Sequence, residues 1–221
     1  MSRIVFDIET AGDFDSLDKE SQDYFLKNAK DERDIEEIKK NVNFWPFSGE
    51  IVAISLLNPE SGKGKVFFQG PDGKIENFSE DGIDFEISTE KKILEKFWQN
   101  IKNYHQFITF NGRGFDCPYL MLRSAALKVR PTRNLMPPRY SADFHIDLLD
   151  QLTFYGAFRK FSLDFYCRSL GIESPKISGI SGEKVAQYFK EGKYLEIARY
   201  CLADTRATAE LYGLWIEYVA P

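Results

Sequence analysis

A chain of 221 residues that is 43% hydrophobic and 15% aromatic carries enough apolar surface to bury a sizeable core, which excludes a disordered protein. Its formal net charge of −5 excludes binding to nucleic acid through bulk positive charge, although a site that holds cations needs clustered acids in any case. The three cysteines, Cys117, Cys167 and Cys201, are odd in number and not at paired metal-ligand spacing, so reduced thiols and no structural zinc are expected.

The first strand is expected from residue 3 or 4, in Ile4-Val5-Phe6-Asp7-Ile8-Glu9-Thr10. Successive side chains of a strand point to opposite faces, so Asp7 and Glu9 share one face while Phe6 and Ile8 pack on the other. Two carboxylates in one small volume raise each other's pKa, and the pair becomes favourable when a divalent metal sits between them. The same Asp-x-Glu spacing recurs at Asp18/Glu20, Asp34/Glu36 and Asp84/Glu86, which read as solvated surface; only Asp7/Glu9 lies in a short run of core-type residues. A strand so early leaves no room for a leader, and no apolar run is long enough for a membrane, so a soluble cytoplasmic protein is expected.

Asp13 to Asn43 is dense in both charge signs, with Leu17, Tyr24, Phe25, Ile35, Ile38 and Val42 near helical spacing, and predicts one or two surface helices inserted after the first strand. Phe44-Trp45-Pro46-Phe47 closes the insertion and is read as a hydrophobic plug beneath it, with a base-stacking lip as the alternative. Glu50 to Leu57 and Gly64 to Gln69 predict strands that form an antiparallel meander with the first. Residues 70–89 read as turns, Pro71-Asp72-Gly73 most clearly. The period then changes: Ile93, Leu94, Phe97, Trp98 and Ile101 form a helical stripe behind an N-cap at Thr89. A strand at His105 to Phe110, a glycine loop at Gly112-Arg113-Gly114 and a helix at Phe115 to Leu127 follow. Beyond a basic, proline-broken loop carrying Arg130, Arg133 and Arg139 come a strand at His145 to Leu149 and helices at Phe161 to Leu170, Glu183 to Phe189 and Tyr194 to about Tyr218. The order predicts an α/β fold, a mixed sheet with helices on its faces, in a single domain over 1–221.

Two further acids stand out. Asp116 sits in the first turn of a helix, where the helix dipole favours an anion. Tyr200 and Asp204 are four residues apart and so share one helical face; of the 11 tyrosines, only Tyr200 has an Asp at that offset. Asp7-x-Glu9, then Asn111-x-x-x-Phe115-Asp116, then Tyr200-x-x-x-Asp204 resembles the three motifs of DEDD-type 3′–5′ exonucleases in their Tyr-containing (DEDDy) branch. The pattern over residues 3 to about 213 is similar to the stand-alone group related to the proofreading exonuclease domain of family B DNA polymerases. The 13–43 insertion is the part that does not match.

The resemblance implies a ribonuclease H-like fold in which Asp7, Glu9, Asp116 and Asp204 converge on two divalent metal ions, Mg²⁺ or Mn²⁺, with Tyr200 orienting the attacking water. It implies contacts to a single-stranded nucleic acid 3′ end from Ile8, Thr10, Asn111 and Phe115; Arg113 and the arginines of the basic loop are within reach of phosphates, with an ordinary solvated connection as the equal alternative for that loop. DNA is favoured over RNA, and a polymerase or repair partner is left open. His105 and His145 are read as structural. Asp7-Ile8-Glu9-Thr10 also approaches the nucleophile loop of haloacid-dehalogenase phosphatases, in which this early strand would feed a parallel Rossmann-like sheet. A ribonuclease H-type endonuclease and a non-catalytic nucleic-acid-binding protein of the same fold are the other readings.

Overall fold

The computed structural model describes residues 2–71, 75–175 and 179–220. One seven-stranded sheet organises them, in the order β4-β5-β3-β2-β1-β6-β7, where β1 is Arg3–Gly12, β2 Gly49–Leu57, β3 Gly64–Phe68, β4 Phe78–Glu80, β5 Ile83–Ile87, β6 Gln106–Thr109 and β7 His145–Asp147. β1, β2 and β3 form the expected antiparallel meander, and β6 and β7 continue the other side of β1 in parallel. This is the ribonuclease H-like mixed sheet. The antiparallel β1/β2 pairing is not the parallel surround that the phosphatase reading requires.

The sheet is longer than the sequence predicts, because 70–89 contains β4 and β5. Ile83-Asp84-Phe85-Glu86-Ile87 alternates at the period of a half-buried strand, with Ile83 and Phe85 in the core. Its acids do face outwards, as expected, and lie against Lys65 and Lys96. The turn expected at Pro71-Asp72-Gly73 falls outside the described residues from Asp72 onward.

Alternation along β1 decides what each face of the sheet meets. Ile4, Phe6 and Ile8 join a core with α3 (Glu90–Ile101) and α4 (Asp116–Ala126), in which Ile93, Leu94, Phe97, Trp98 and Ile101 are all buried as the stripe predicts. The Phe6 and Phe97 rings meet edge to face at 5.4 Å. Val5 and Ala11 point to the other face, covered by the 25-residue α8 (Tyr194–Tyr218), which runs about 37 Å along the sheet. Beside α8 pack α5 (Leu148–Leu152), α6 (Leu163–Leu170) and α7 (Val185–Lys190). Between Glu9 and Thr10 the register with β2 slips by one residue, and Val52 and Ala53 consequently both enter the core on the α8 side.

The insertion holds α1 (Lys19–Leu26) and α2 (Glu32–Lys40), neither of which buries a residue. The plug expected at 44–47 is not there: Trp45 is 58% and Phe47 69% exposed. Val42 and Asn43 fill that place instead. A Cβ on Gly12 would lie 2.9 Å from the Asn43 backbone, and one on Gly49 only 2.7 Å from its carbonyl, so glycine is required at both approaches. Two boundaries also shift. The strand expected to reach Leu149 ends at Asp147, whose carboxylate accepts the Leu149 N–H and starts α5. Thr89 is the N-cap of α3 by position but makes no side-chain cap.

Candidate active site

Asp7 projects from the middle of β1 towards α8, with Glu9 two residues on along the same face. α8 returns Tyr200 and Asp204 to that face, one helical turn apart. One carboxylate oxygen each from Asp7, Glu9 and Asp204 lies within 4.8 Å of the others. Asp116 enters from the start of α4, and its Oδ1 accepts the Ile8 N–H at 3.1 Å. That N–H is available because β6 pairs with β1 only as far as Val5. A cleft of about 300 Å³ is lined by Asp7, Asp116, Tyr200 and Asp204, together with Ile8, Asn111 and Phe115. Glu9 lies deeper, 6% exposed.

Four carboxyl groups in so small a volume cannot all ionise freely. Burial first, and then the charges of Asp116, Asp204 and Glu9, hold the Asp7 carboxyl well above the usual carboxylate range. Burial and then Asp204 and Asp116 do the same to Glu9. Burial raises Asp116 to about 7 against the opposing pull of its own and the Ile8 backbone N–H. At 4.8 Å, two full charges repel by about 3 kcal/mol at an effective dielectric of 20. Hard carboxylate oxygens at this spacing fit a divalent cation of the Mg²⁺ or Mn²⁺ type, which would convert that repulsion into attraction. Burial, followed by Glu9, Asp204 and Asp7, pushes the Tyr200 phenol above its ordinary value, so it keeps its proton at neutral pH.

The loop that carries Asn111 and Phe115 is fixed by a residue that the sequence reading placed in a strand without a site role. Asp147, 3% exposed, accepts the N–H groups of Asn111 and Arg113 at 2.9 Å each and that of Leu149 at 3.0 Å. Its signal in the sequence is the one that marks Asp7, an acid inside a short apolar run. Asn111 is left-handed at φ 60°, and a Cβ on Gly112 would lie 2.3 Å from Thr109 Oγ1, so the loop's first glycine is needed for close approach. Phe115 meets Phe44 edge to face at 5.9 Å, which ties the cleft rim to the end of the insertion.

Two expected nucleic-acid contacts lie elsewhere. Thr10 is 3% exposed on the face opposite the acids, beside Tyr119. The Arg113 guanidinium donates to the carbonyls of Pro137 and Pro138. In the basic loop Arg133 donates to the Tyr104 carbonyl and Arg139 pairs with buried Asp150, while Arg130 stays exposed. Arg133 and Arg139 thus pin the loop to its own fold, a role that charge alone does not reveal. His145 is buried against Thr109 Oγ1 at 2.8 Å, and burial lowers its imidazole to about 3, so it stays neutral.

Beneath the acids, a polar set joins β2 to α8. Ser55, paired across the sheet with Asp7, donates to the Cys201 carbonyl at 2.9 Å and meets the Thr205 hydroxyl; Thr205 also reaches the Cys201 carbonyl, at 3.0 Å. The Cys201 thiol faces the Asp7 carbonyl at 3.4 Å and its carboxylate at 3.7 Å.

A family model described as a predicted 3′–5′ exonuclease related to the exonuclease domain of PolB matches residues 50–220. That range contains Asp116, Tyr200 and Asp204; Asp7 and Glu9 precede it. DNA polymerase 1 of Sulfolobus acidocaldarius is 26% identical over 175 residues, 73% of this chain and 19% of the polymerase. A DNA polymerase of Thermococcus gorgonarius is 29% identical over 181 residues, 67% of this chain and 23% of the polymerase. The family B DNA polymerase of Pyrobaculum calidifontis has the same fold over 98% of this chain and 24% of its own, at a TM-score of 0.63 and 19% identity. The chain thus spans 19–24% of the length of these three relatives. Among the described residues no helix is long and apolar enough to cross a membrane.

Proposed function

This chain belongs to the family of predicted 3′–5′ exonucleases related to the exonuclease domain of PolB, and on that premise we propose that it shortens single-stranded DNA from the 3′ end, releasing nucleoside 5′-monophosphates. The observation that carries the reading is the meeting of carboxylates from β1, α4 and α8 with a protonated Tyr200 in one cleft. The reading treats 1–221 as one nuclease domain with 13–43 as its helical insertion.

Asp7, Glu9, Asp116 and Asp204 would hold two divalent ions, Mg²⁺ or Mn²⁺, which when bound polarise the scissile phosphodiester and stabilise the charge that develops as it breaks. The other parts of the mechanism belong to the chain. Asp116 is fixed in direction by the Ile8 N–H, so its second oxygen is presented to the cleft without rotamer freedom. Tyr200 Oη, holding its proton, orients an attacking water by hydrogen bonding and is not the base that deprotonates it. Phe115 offers a ring to the terminal base and Asn111 an amide to the terminal nucleotide, both carried on the loop whose Asn111 and Arg113 N–H groups Asp147 accepts.

The test is a 5′-labelled DNA and RNA oligonucleotide panel incubated with Mn²⁺ or Mg²⁺. A ladder shortening from the 3′ end, faster on DNA, is expected. Internal cuts would assign an endonuclease, and binding without any cutting would assign a non-catalytic relative.

A further inference from the structure

The segment following α5 is strained and displays aromatic rings to solvent. Phe154, Tyr155 and Gly156 stand in succession at φ 50°, 58° and 93°, a left-handed run that non-glycine residues adopt only where the surroundings enforce it. Buried Thr153 enforces it here. Its carbonyl accepts the Phe158 N–H at 2.9 Å, its hydroxyl accepts the Gly156 N–H at 3.3 Å, and the Asp150 carbonyl takes the Tyr155 N–H at 2.7 Å. The result leaves Phe154 62% and Phe158 70% exposed, while Tyr155 between them is half-buried against Tyr140.

Beyond this turn, a ladder of rings runs from Phe161 to the cleft. Phe110, which lines the cleft, meets Tyr166 edge to face at 5.9 Å, and Tyr166 meets Phe161 in the same way at 5.8 Å. Phe165, 43% exposed, stacks on Phe161 at 4.5 Å and 16°. The Arg159 guanidinium lies 5.3 Å from the Phe161 ring centre, and Lys160 beside it is exposed. Ser162 and Leu163, the next residues along, form the cleft wall.

We propose that residues 158–165 hold the single strand that leads to the bound 3′ end, its bases stacking on Phe158 and Phe165 and its phosphates meeting Arg159 and Lys160. The proposal rests on the nuclease reading above and extends it from the terminal nucleotide to the strand behind it. Exposed rings interleaved with cations are what a sequence-tolerant single-strand site requires. Arg133 and Arg139 of the 130–139 loop are engaged within the fold, whereas exposed Arg159 and Lys160 adjoin the ring ladder that reaches the cleft. An acidic chain can in this way grip a polyanion locally.

The experiment is fluorescence anisotropy with 5′-labelled oligothymidylates of three and twelve nucleotides, in EDTA so that no cutting occurs. The intact chain should bind the longer strand at least tenfold more tightly. Phe158→Ala/Phe165→Ala should weaken binding of the twelve-nucleotide strand by roughly tenfold or more and flatten the dependence on length. Arg159→Ala/Lys160→Ala alters only exposed side chains, and should lower the slope of log affinity against log salt by about 1.4, at about 0.7 per phosphate contact. An intact chain with no dependence on length, or variants that bind the longer strand as tightly as the parent, overturns the proposal. Binding that depends on length and on these residues, without a ladder shortening from the 3′ end, supports the strand site and overturns the nuclease reading instead.

Discussion

Replacing Asp116 by Asn tests whether the acids are held together against their own repulsion. A carboxyl raised in the folded state stabilises the fold fully below its unfolded pKa, and that contribution is lost as pH climbs through the folded value. For Asp116 the window runs from an ordinary 3.8 to about 7. The gap corresponds to roughly 4 kcal/mol of strain above neutral pH, at about 1.4 kcal/mol for each tenfold change in proton affinity. Asn keeps an Oδ1 that accepts the Ile8 N–H and removes the charge. Without divalent ions at pH 8, Asp116→Asn should therefore gain about 1–4 kcal/mol, raising Tm by about 3–15 °C for a chain of this size. Near pH 4 the two proteins should converge. Adding Mg²⁺ or Mn²⁺ should raise Tm in the parent and do so less in the variant, since a ligand bound only by the native state stabilises it. Thermal unfolding followed by circular dichroism from pH 4 to 8, with EDTA or metal, measures all of this. A variant with native ellipticity that melts below the parent at pH 8 in EDTA would refute the reasoning.

Asp7→Asn and Asp204→Asn should each reduce cutting by about a thousandfold or more, whereas Tyr200→Phe should slow it by about 10–100-fold and keep the metal-induced rise in Tm. Labelled-strand gels read the rates, and wild-type activity in all three sinks the site. Arg123→Ala strips the bidentate partner, at 2.6 and 2.8 Å, from the buried Glu90 carboxylate, which also takes the Ile51 N–H. It should cost about 3–5 kcal/mol in urea titration, and a loss below about 1 kcal/mol would show that water reaches the pair. Asp147→Ala leaves three N–H groups without their acceptor; KM for single strands should rise as Asn111 and Phe115 lose their register, and an unchanged KM would make Asp147 a matter of stability alone.

The parts of the fold that depend on local periodicity were legible in the chain. Alternation placed Asp7 and Glu9 on one face of β1, and the 93–101 stripe placed α3 on the other. β5 was not seen because its two acids were read as surface and its three apolar residues were not weighed with them. The site was legible as residue types in order. What spacing could not show was which polar group each side chain would find once folded. Thr10 and Arg113 sit beside motif residues in sequence yet face Tyr119 and the Pro137 carbonyl. Asp147 organises a loop 34 to 36 residues away. Trp45 and Phe47 look like filler by composition, but the space they would fill is taken by Val42 and Asn43.

Most of what clamps α8 to the sheet is apolar, and apolar burial has no preferred direction. A greasy cylinder can roll about its axis or slide by a fraction of a turn at little loss. A roll of one residue, about 100°, would swing both Tyr200 and Asp204 out of the cleft. Ser55 and Thr205, converging on the Cys201 carbonyl, act as a key in a slot that tolerates one rotational phase of the cylinder. The aim of the acids is thus separated from the adhesion that holds the layers together, so substitutions in the grease can accumulate while the phase stays locked.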